Sequence, residues 1–310
     1  MYKAIHHIVT FRFNKMKNTV LNSNIYNNIK LRFLLPIGVF DKLYVNTSLE
    51  EIWKERIADV ISCPDNALIV RHNSAGQVKN GKQLMHNGIN VTLGGYYGDP
   101  ITQMLYKNKG VHEPQEELAF GLVLDTIPEE GTMIELGSYW AFYSIWFNKK
   151  IKNAKNFMVE PDPNNLRYGV NNFRLNRISG IFTNAYVGKK SATLNKMSSI
   201  NIDDYVAEKK INFIDILHSD IQGFELDMLL GASQTIKENK IGYFFISTHG
   251  NKVHYECLDF LLLHKFQILC SADEFDTYSL DGLIVAKAPF YKGLEKINIS
   301  LKSKKAVENP

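Results

Sequence analysis

"MIELGSYWAFYSIW", residues 133–146, is the stretch whose reading decides the fold. A short apolar run reaches an acid and a glycine, then passes into a segment dense with aromatics. A strand that ends in Glu135-x-Gly137 and turns into a helix gathers a carboxylate and free backbone N–H groups at one point, where ligands are commonly held. A dinucleotide does not fit. Its site needs G-x-G-x-x-G, because the second glycine lets the backbone approach the pyrophosphate. With Gly137 as the first glycine, the other two positions are Tyr139 and Phe142, both bulky.

The pattern present is acid-x-Gly-x-x-x-small, formed by Glu135, Gly137 and Ala141. It suits a ligand without phosphates, whose amino-acid end offers an ammonium to carboxylates and a carboxylate to backbone N–H groups. S-adenosylmethionine (SAM) is such a ligand. A second acid, Glu160, ends "NFMVE" 19 residues beyond Ala141, close to the roughly 20-residue spacing of an acid that accepts from both hydroxyls of a ribose. Asp162 opens "DPNN", where capping of the next helix, with Pro163 at its first position, competes with ligand contact.

Outward from this point, strands alternate with helices. "TMIEL" is followed by a helix over 139–149, "NFMVE" by one over 163–176, and "GIFTNAYVG" by a short helix in "NIDDYVAEKK". Then come "FIDILHSD", a helix in "GFELDMLLG", "IGYFFISTH" and a helix over 252–264. The closing pair, "FQILCSA" and "DGLIVAKA", has only "DEFDTYSL" between its members and should pair antiparallel. Such alternation indicates βαβ units and a parallel sheet. A parallel α/β sheet with a C-terminal antiparallel hairpin strand is the Rossmann-like class I methyltransferase arrangement. Ligands there bind beyond the carboxyl ends of the strands, which selects Glu135, Gly137, Glu160, Asp162, His218, Asp220 and His249.

Before the helix of "HEPQEELAFGLVLDTI" the chain reads as irregular. An Asn-rich stretch, "NKMKNTVLNSNIYNNIK", precedes a helix near 49–60 and β-like segments "ALIVRH" and "GINVTLGGYYG", with turns and hairpins between them. Three parts result: a basic then β-rich N-terminal extension over 1–110, a body over 111–290 and a basic tail over 291–310. Residues 1–40 carry six Lys/Arg and no acid, and residues 292–310 carry a net +3; removing both from the total of +4 leaves −5 for residues 41–291. Nucleic-acid enzymes concentrate positive charge around the site, so no nucleic-acid partner is expected. The tails read as solvated ends. Three scattered cysteines without a CxxC, and the absence of a secretory-type apolar run or of about 20 consecutive apolar residues, point to the cytoplasm and to no transmembrane segment.

Several blocks together resemble the FkbM-type methyltransferase family: "MIELGSYWAFYSIWF", "VEPDPNNL", "NAYVG", "SINIDDYV" and "IDILHSDIQGFELDMLLGA". The similarity spans about residues 112–287, and its most specific block is Asp220-Ile-Gln-Gly-Phe-Glu225, which matches the family's Asp-x-Glu-Gly-x-Glu. Ala141 stands where the family usually has glycine, and Gln222 where it commonly has glutamate. The loss of that charge weakens the case for a metal there. The resemblance implies SAM-dependent methyl transfer to a hydroxyl of a sugar, glycan precursor or other small natural product. A divalent metal and a homo-oligomer are left open. A catalytically silent methyltransferase-fold protein serving binding or assembly is the alternative.

The cofactor contacts expected are Glu135, Gly137, Ser138, Tyr139, Ala141, Glu160, Asp162 and Asp220. A hydroxyl is a poor acid, so its proton needs a base or a metal, and histidine suits the base. His249, at the end of the fifth strand, is the first choice, with Asp220 orienting it. His218, two residues before Asp220 and so on the same strand face, is the second, against a reading as a buried residue bonded to backbone. His112 and Glu113 offer a lid or cofactor contact, or capping. Tyr139 and Trp140 could flank the methionyl end, and Tyr96–Tyr97 could stack a sugar.

Overall fold

The structure is a computed structural model and describes residues 35, 36, 38, 40–194 and 197–303; the Asn-rich stretch lies outside them. The extension contributes α1 (Asp41–Asn46), α2 (Glu51–Ser62), a three-stranded antiparallel sheet of β1 (Val78–Lys79), β2 (Lys82–Leu84) and β3 (Asn90–Thr92), and α3 (Asp99–Lys107). The body begins with α4 (Pro114–Leu124), β4 (Thr132–Leu136), α5 (Phe142–Lys150), β5 (Lys155–Val159), α6 (Pro163–Leu175) and β6 (Ile181–Thr183). A small second sheet follows, of β7 (Tyr186–Val187), β8 (Ala192–Leu194) and β9 (Met197–Ile200). The chain continues through α7 (Ile202–Lys209), β10 (Ile214–Asp220), α8 (Glu225–Leu230), α9 (Ser233–Lys237), β11 (Ile241–Thr248), α10 (Asn251–Leu263), β12 (Gln267–Ala272) and β13 (Gly282–Lys287).

Seven strands form the main sheet in the order β12-β13-β11-β10-β4-β5-β6. β6, β5, β4, β10 and β11 run parallel, whereas β13 enters antiparallel between β11 and β12. This is the class I methyltransferase topology. Its strand order reverses between β4 and β10, so the loops after these two strands open a crevice. Both faces of the sheet are covered. Alternation along β10 sends Ile216 into one apolar cluster, with Phe120 and Phe142, and Leu217 into the other, with Met228 and Leu261.

The extension shares the first of these cores. Ile57 and Val60 of α2 lie in the same cluster as Phe142 and Phe245. Polar side chains staple β3 to α6, where Asn172 Oδ1 accepts from the Thr92 N–H (2.8 Å) and Asn176 Oδ1 from that of Asn90 (3.1 Å).

Three local expectations need correction. "ALIVRH" is not a strand: Leu68 and Val70 are exposed, and Arg71 ties the segment into a coil by donating to the carbonyls of Asn66 and Ile69. "GIFTNAYVG" splits between two sheets, because the Asn184 side chain donates to the carbonyls of Glu160 (2.9 Å) and Pro161 (2.8 Å) and turns the chain. The basic C-terminal tail is not a solvated end as far as residue 303. Ile297 is buried, the Ser300 hydroxyl donates to Asp65 (2.7 Å) and Lys302 pairs with Asp59 (2.7 Å), pinning it to the extension. The cysteines are free and buried. Among the described residues no helix is long and apolar enough to cross a membrane.

Candidate active site

The turn after β4 is built by backbone bonds and one carboxylate. The N–H groups of Gly137 (2.9 Å) and Ser138 (3.0 Å) both donate to the Val159 carbonyl at the end of β5. Gly137 has φ +71°, and a β-carbon there would collide with the carbonyl oxygen of Asp220. The two strand ends that frame the crevice therefore meet at a residue that must lack a side chain. Gly137→Ala is expected to destabilise the fold by roughly 2–4 kcal/mol, combining left-handed strain with overpacking. Its urea midpoint should fall clearly below that of the parent protein, and an unchanged midpoint would show that the two loops can separate freely. Ala141, at φ +58° and ψ +38°, takes the left-handed N-cap position of α5, which accounts for glycine being usual there.

The crevice holds a cavity of about 290 Å³. Of the eight residues expected to bind a cofactor, Gly137, Tyr139, Glu160, Asp162 and Asp220 line it, together with Asn165, Tyr97, Tyr186, Ile221, Gln222 and Phe224. Glu135, Ser138 and Ala141 do not. The period-two pleat explains Glu135: its side chain faces α5, and its Oε2 accepts from the Ser144 N–H at 3.0 Å. Burial pushes that carboxyl up to about 7, against the pull of His218 and Ser144. Ser138 and Ala141 are buried beneath the turn.

Glu160 follows β5 directly and lines the cavity. Its Oε2 accepts from the Tyr139 N–H (3.0 Å) and its Oε1 from the Asp162 N–H (2.9 Å), so the one side chain ties the β4 and β5 loops together. Burial raises its pKa, opposed by these backbone donors. Asp162 caps α6, accepting from the Asn164 N–H at 2.6 Å, and lines the cavity as well.

His249 follows β11 directly and stands in a cage of polar groups. Its Nδ1 is 2.9 Å from Glu225 Oε1. Its Nε2 is 2.8 Å from the Gln222 amide nitrogen, 3.2 Å from Asp281 Oδ1 and 3.4 Å from Asp220 Oδ1. In the neutral ring, with Nδ1–H given to Glu225, the lone pair lies on Nε2. The ring borders the cavity through Asp220 and Gln222, which both line it. Burial disfavours the imidazolium, but the hydrogen bond to Glu225 and the charges of Asp281 and Asp220 outweigh it and raise the pKa to about 9. Burial and the neighbouring Asp281 push Asp220 up to about 7. The expected His249–Asp220 pair is thus brought together, but Glu225 and Asp281 are nearer partners. Glu225 lay in the quoted block with Asp220, whereas Asp281 carried no signal beyond starting the last strand.

The other histidines serve the interior. His218 lines no cavity; its Nε2 is 2.7 Å from Glu116 of α4, and the Tyr143 ring lies 4.4 Å away. Its partner is a carboxylate rather than backbone. Burial opposes its charge, yet Glu116 keeps the pKa above the usual range. His112 bridges Glu117 (2.6 Å) and Glu113 (3.2 Å), and Glu117 Oε1 also accepts from the N–H groups of His112 and Glu113, a capping arrangement for α4. Tyr139 lines the cavity, but Trp140 is buried and stacks on Tyr96 at 4.5 Å. Of the Tyr96–Tyr97 pair, only Tyr97 is exposed. A larger cavity, about 500 Å³, lies between residues 68–72 and the helices α4 and α5, and holds none of the strand-end residues. Among the described residues, no group of three or more His, Cys, Asp or Glu is arranged to hold a metal ion.

Residues 128–268 match the family model of the methyltransferase FkbM domain. Similar solved structures include a putative SAM-dependent methyltransferase from Streptococcus mutans, 14% identical, with 68% of this chain and 57% of that chain covered and a TM-score of 0.43. Another is M. capricolum TrmK in complex with S-adenosyl-homocysteine, 14% identical over 56% of this chain and 69% of that chain, TM-score 0.39. A third is the precorrin-6y C5,15-methyltransferase of Geobacter metallireducens, 12% identical over 56% and 89%, TM-score 0.39. No curated protein matches the chain.

Proposed function

We propose, from the match of residues 128–268 to the methyltransferase FkbM domain, that the chain transfers the methyl group of SAM to a hydroxyl oxygen of a sugar, glycan precursor or other small natural product. The observation that carries the finer reading is the His249 imidazole, held by Glu225 beside the cavity that Glu160 also lines. The lining fits SAM. Glu160 and Asp162 are carboxylates for hydroxyls and an ammonium, while Ile221, Val187 and Phe224 offer apolar surface to a base. No lysine or arginine among the described residues lines the cavity to receive a pyrophosphate. Its volume is at the lower end of the roughly 300–1,000 Å³ of small-ligand sites.

When bound, SAM supplies an electrophilic methyl on a sulfonium. The chain's own part is to orient and deprotonate. Glu225 fixes the ring through Nδ1, and Nε2 takes the hydroxyl proton as the oxygen bonds to carbon. Asp220 and Asp281 stabilise the imidazolium that results. Calorimetry with SAM and S-adenosylhomocysteine (SAH), followed by turnover against a panel of hydroxylated glycans and metabolites, tests this reading. Binding of SAH with no transfer to any hydroxyl would favour a silent binding protein instead.

The pH dependence follows from the cage. A base must be unprotonated, and the surrounding carboxylates hold His249 at about 9 rather than at an ordinary histidine value. Turnover should rise about tenfold per pH unit from pH 6 and level off near 9. A profile that is flat over this range would remove His249 from the proton transfer.

A further inference from the structure

Helix α2 belongs to the N-terminal extension, yet one of its side chains, Trp53, meets a residue of the cavity wall. The Arg56 guanidinium lies 5.1 Å above the Trp53 ring. Trp53 in turn meets Tyr97 at 6.4 Å between ring centroids, and Tyr97, which lines the cavity, is 46% exposed. The positive charge of Arg56 is felt by Tyr97, by Tyr96 beneath it and by Asp281, the aspartate against His249.

Arg56 is half-buried, and among the described residues no carboxylate lies within ion-pair distance of it. Its Nε is fully buried with no acceptor. A partly desolvated guanidinium that finds no carboxylate among the described residues is costly unless a ligand supplies one. Its position over an indole restricts the side chain beforehand, so little freedom remains to be lost on binding.

Resting on the methyltransferase reading, we infer that Arg56 binds a carboxylate of the acceptor. The substrate is then an acidic sugar, or a comparably carboxylated hydroxy compound, whose hydroxyl is presented towards His249. Carboxylate is favoured over phosphate on two grounds. The planar fork of a guanidinium matches a carboxylate in a bidentate pair. A phosphate dianion would also bring two negative charges near Asp220 and Asp281 with one cation to balance them.

The test uses the full chain saturated with SAH and reads binding of methyl glucuronide, methyl glucoside and glucose 6-phosphate by calorimetry. The glucuronide should bind roughly tenfold more tightly than the glucoside, the scale of one charge-assisted pair. Arg56→Gln should abolish that preference, and Arg56→Lys should keep part of it, with SAH affinity unchanged in both. If the parent protein fails to bind SAH, the methyltransferase reading itself falls. If SAH binds but the glucuronide is held no more tightly than the glucoside, or the phosphate is preferred, or Arg56→Gln keeps the preference, Arg56 merely packs on Trp53 and the inference is overturned.

Discussion

Glu160→Ala is expected to weaken SAM binding by about 10- to 150-fold, the equivalent of roughly 1.5–3 kcal/mol for hydrogen bonds to a charged acceptor. The carboxylate also receives the N–H groups of Tyr139 and Asp162, so the alanine variant leaves two backbone donors without their partner and loosens the turn. Glu160→Gln separates the two contributions. It keeps one acceptor oxygen for the turn while removing the charge, so it should lower the urea midpoint less than alanine does and still lose about tenfold in affinity. Calorimetric titration of SAH into each variant gives the answer. Unchanged dissociation constants in folded variants would mean that Glu160 builds the loops and does not touch the cofactor.

Replacing His249 with alanine should cut turnover by roughly 10²–10⁴, the usual contribution of a general base. SAM affinity should stay nearly constant, because the ring borders the cavity only through Asp220 and Gln222. Glu225 complicates that variant. It is fully buried, and beyond the imidazole it accepts, among the described residues, only from the Gly223 N–H (3.0 Å). Removing the ring strands a buried charge and should lower stability. His249→Gln keeps a donor within reach of Glu225 and is the cleaner comparison. Both variants should lose turnover, and only the alanine variant should lose stability as well. Near-parental turnover in His249→Gln would exclude the ring as the base.

Glu225 and Asp281 show why the site was only partly legible. His249 and Asp220 could be read because each ends a strand, and strand ends in a parallel sheet converge on one edge. Asp281 meets His249 only because β13 runs antiparallel beside β11, with Gly282 opposite Thr248. Nothing local in "DGLIVAKA" marks that aspartate. Arg56 is further removed still: it lies 193 residues before His249 (249 − 56) and belongs to a helix that the blocks of family resemblance do not include.

The sequence alone determined the alternation of strands and helices, the antiparallel closing pair, the glycine turn after β4 and the acids at the strand ends. Each is written in neighbouring residues, through periodicity of 2 or 3.6 or through spacing along one βαβ unit. Tertiary structure alone decided which way Glu135 points, that His218 is paired with Glu116 from 102 residues away, that residues 291–303 are pinned to the extension, and that Glu225 and Asp281 complete the cage around His249. Those contacts depend on which surfaces pack together. A buried charge finds its partner across the fold, wherever desolvation would otherwise leave it unpaired.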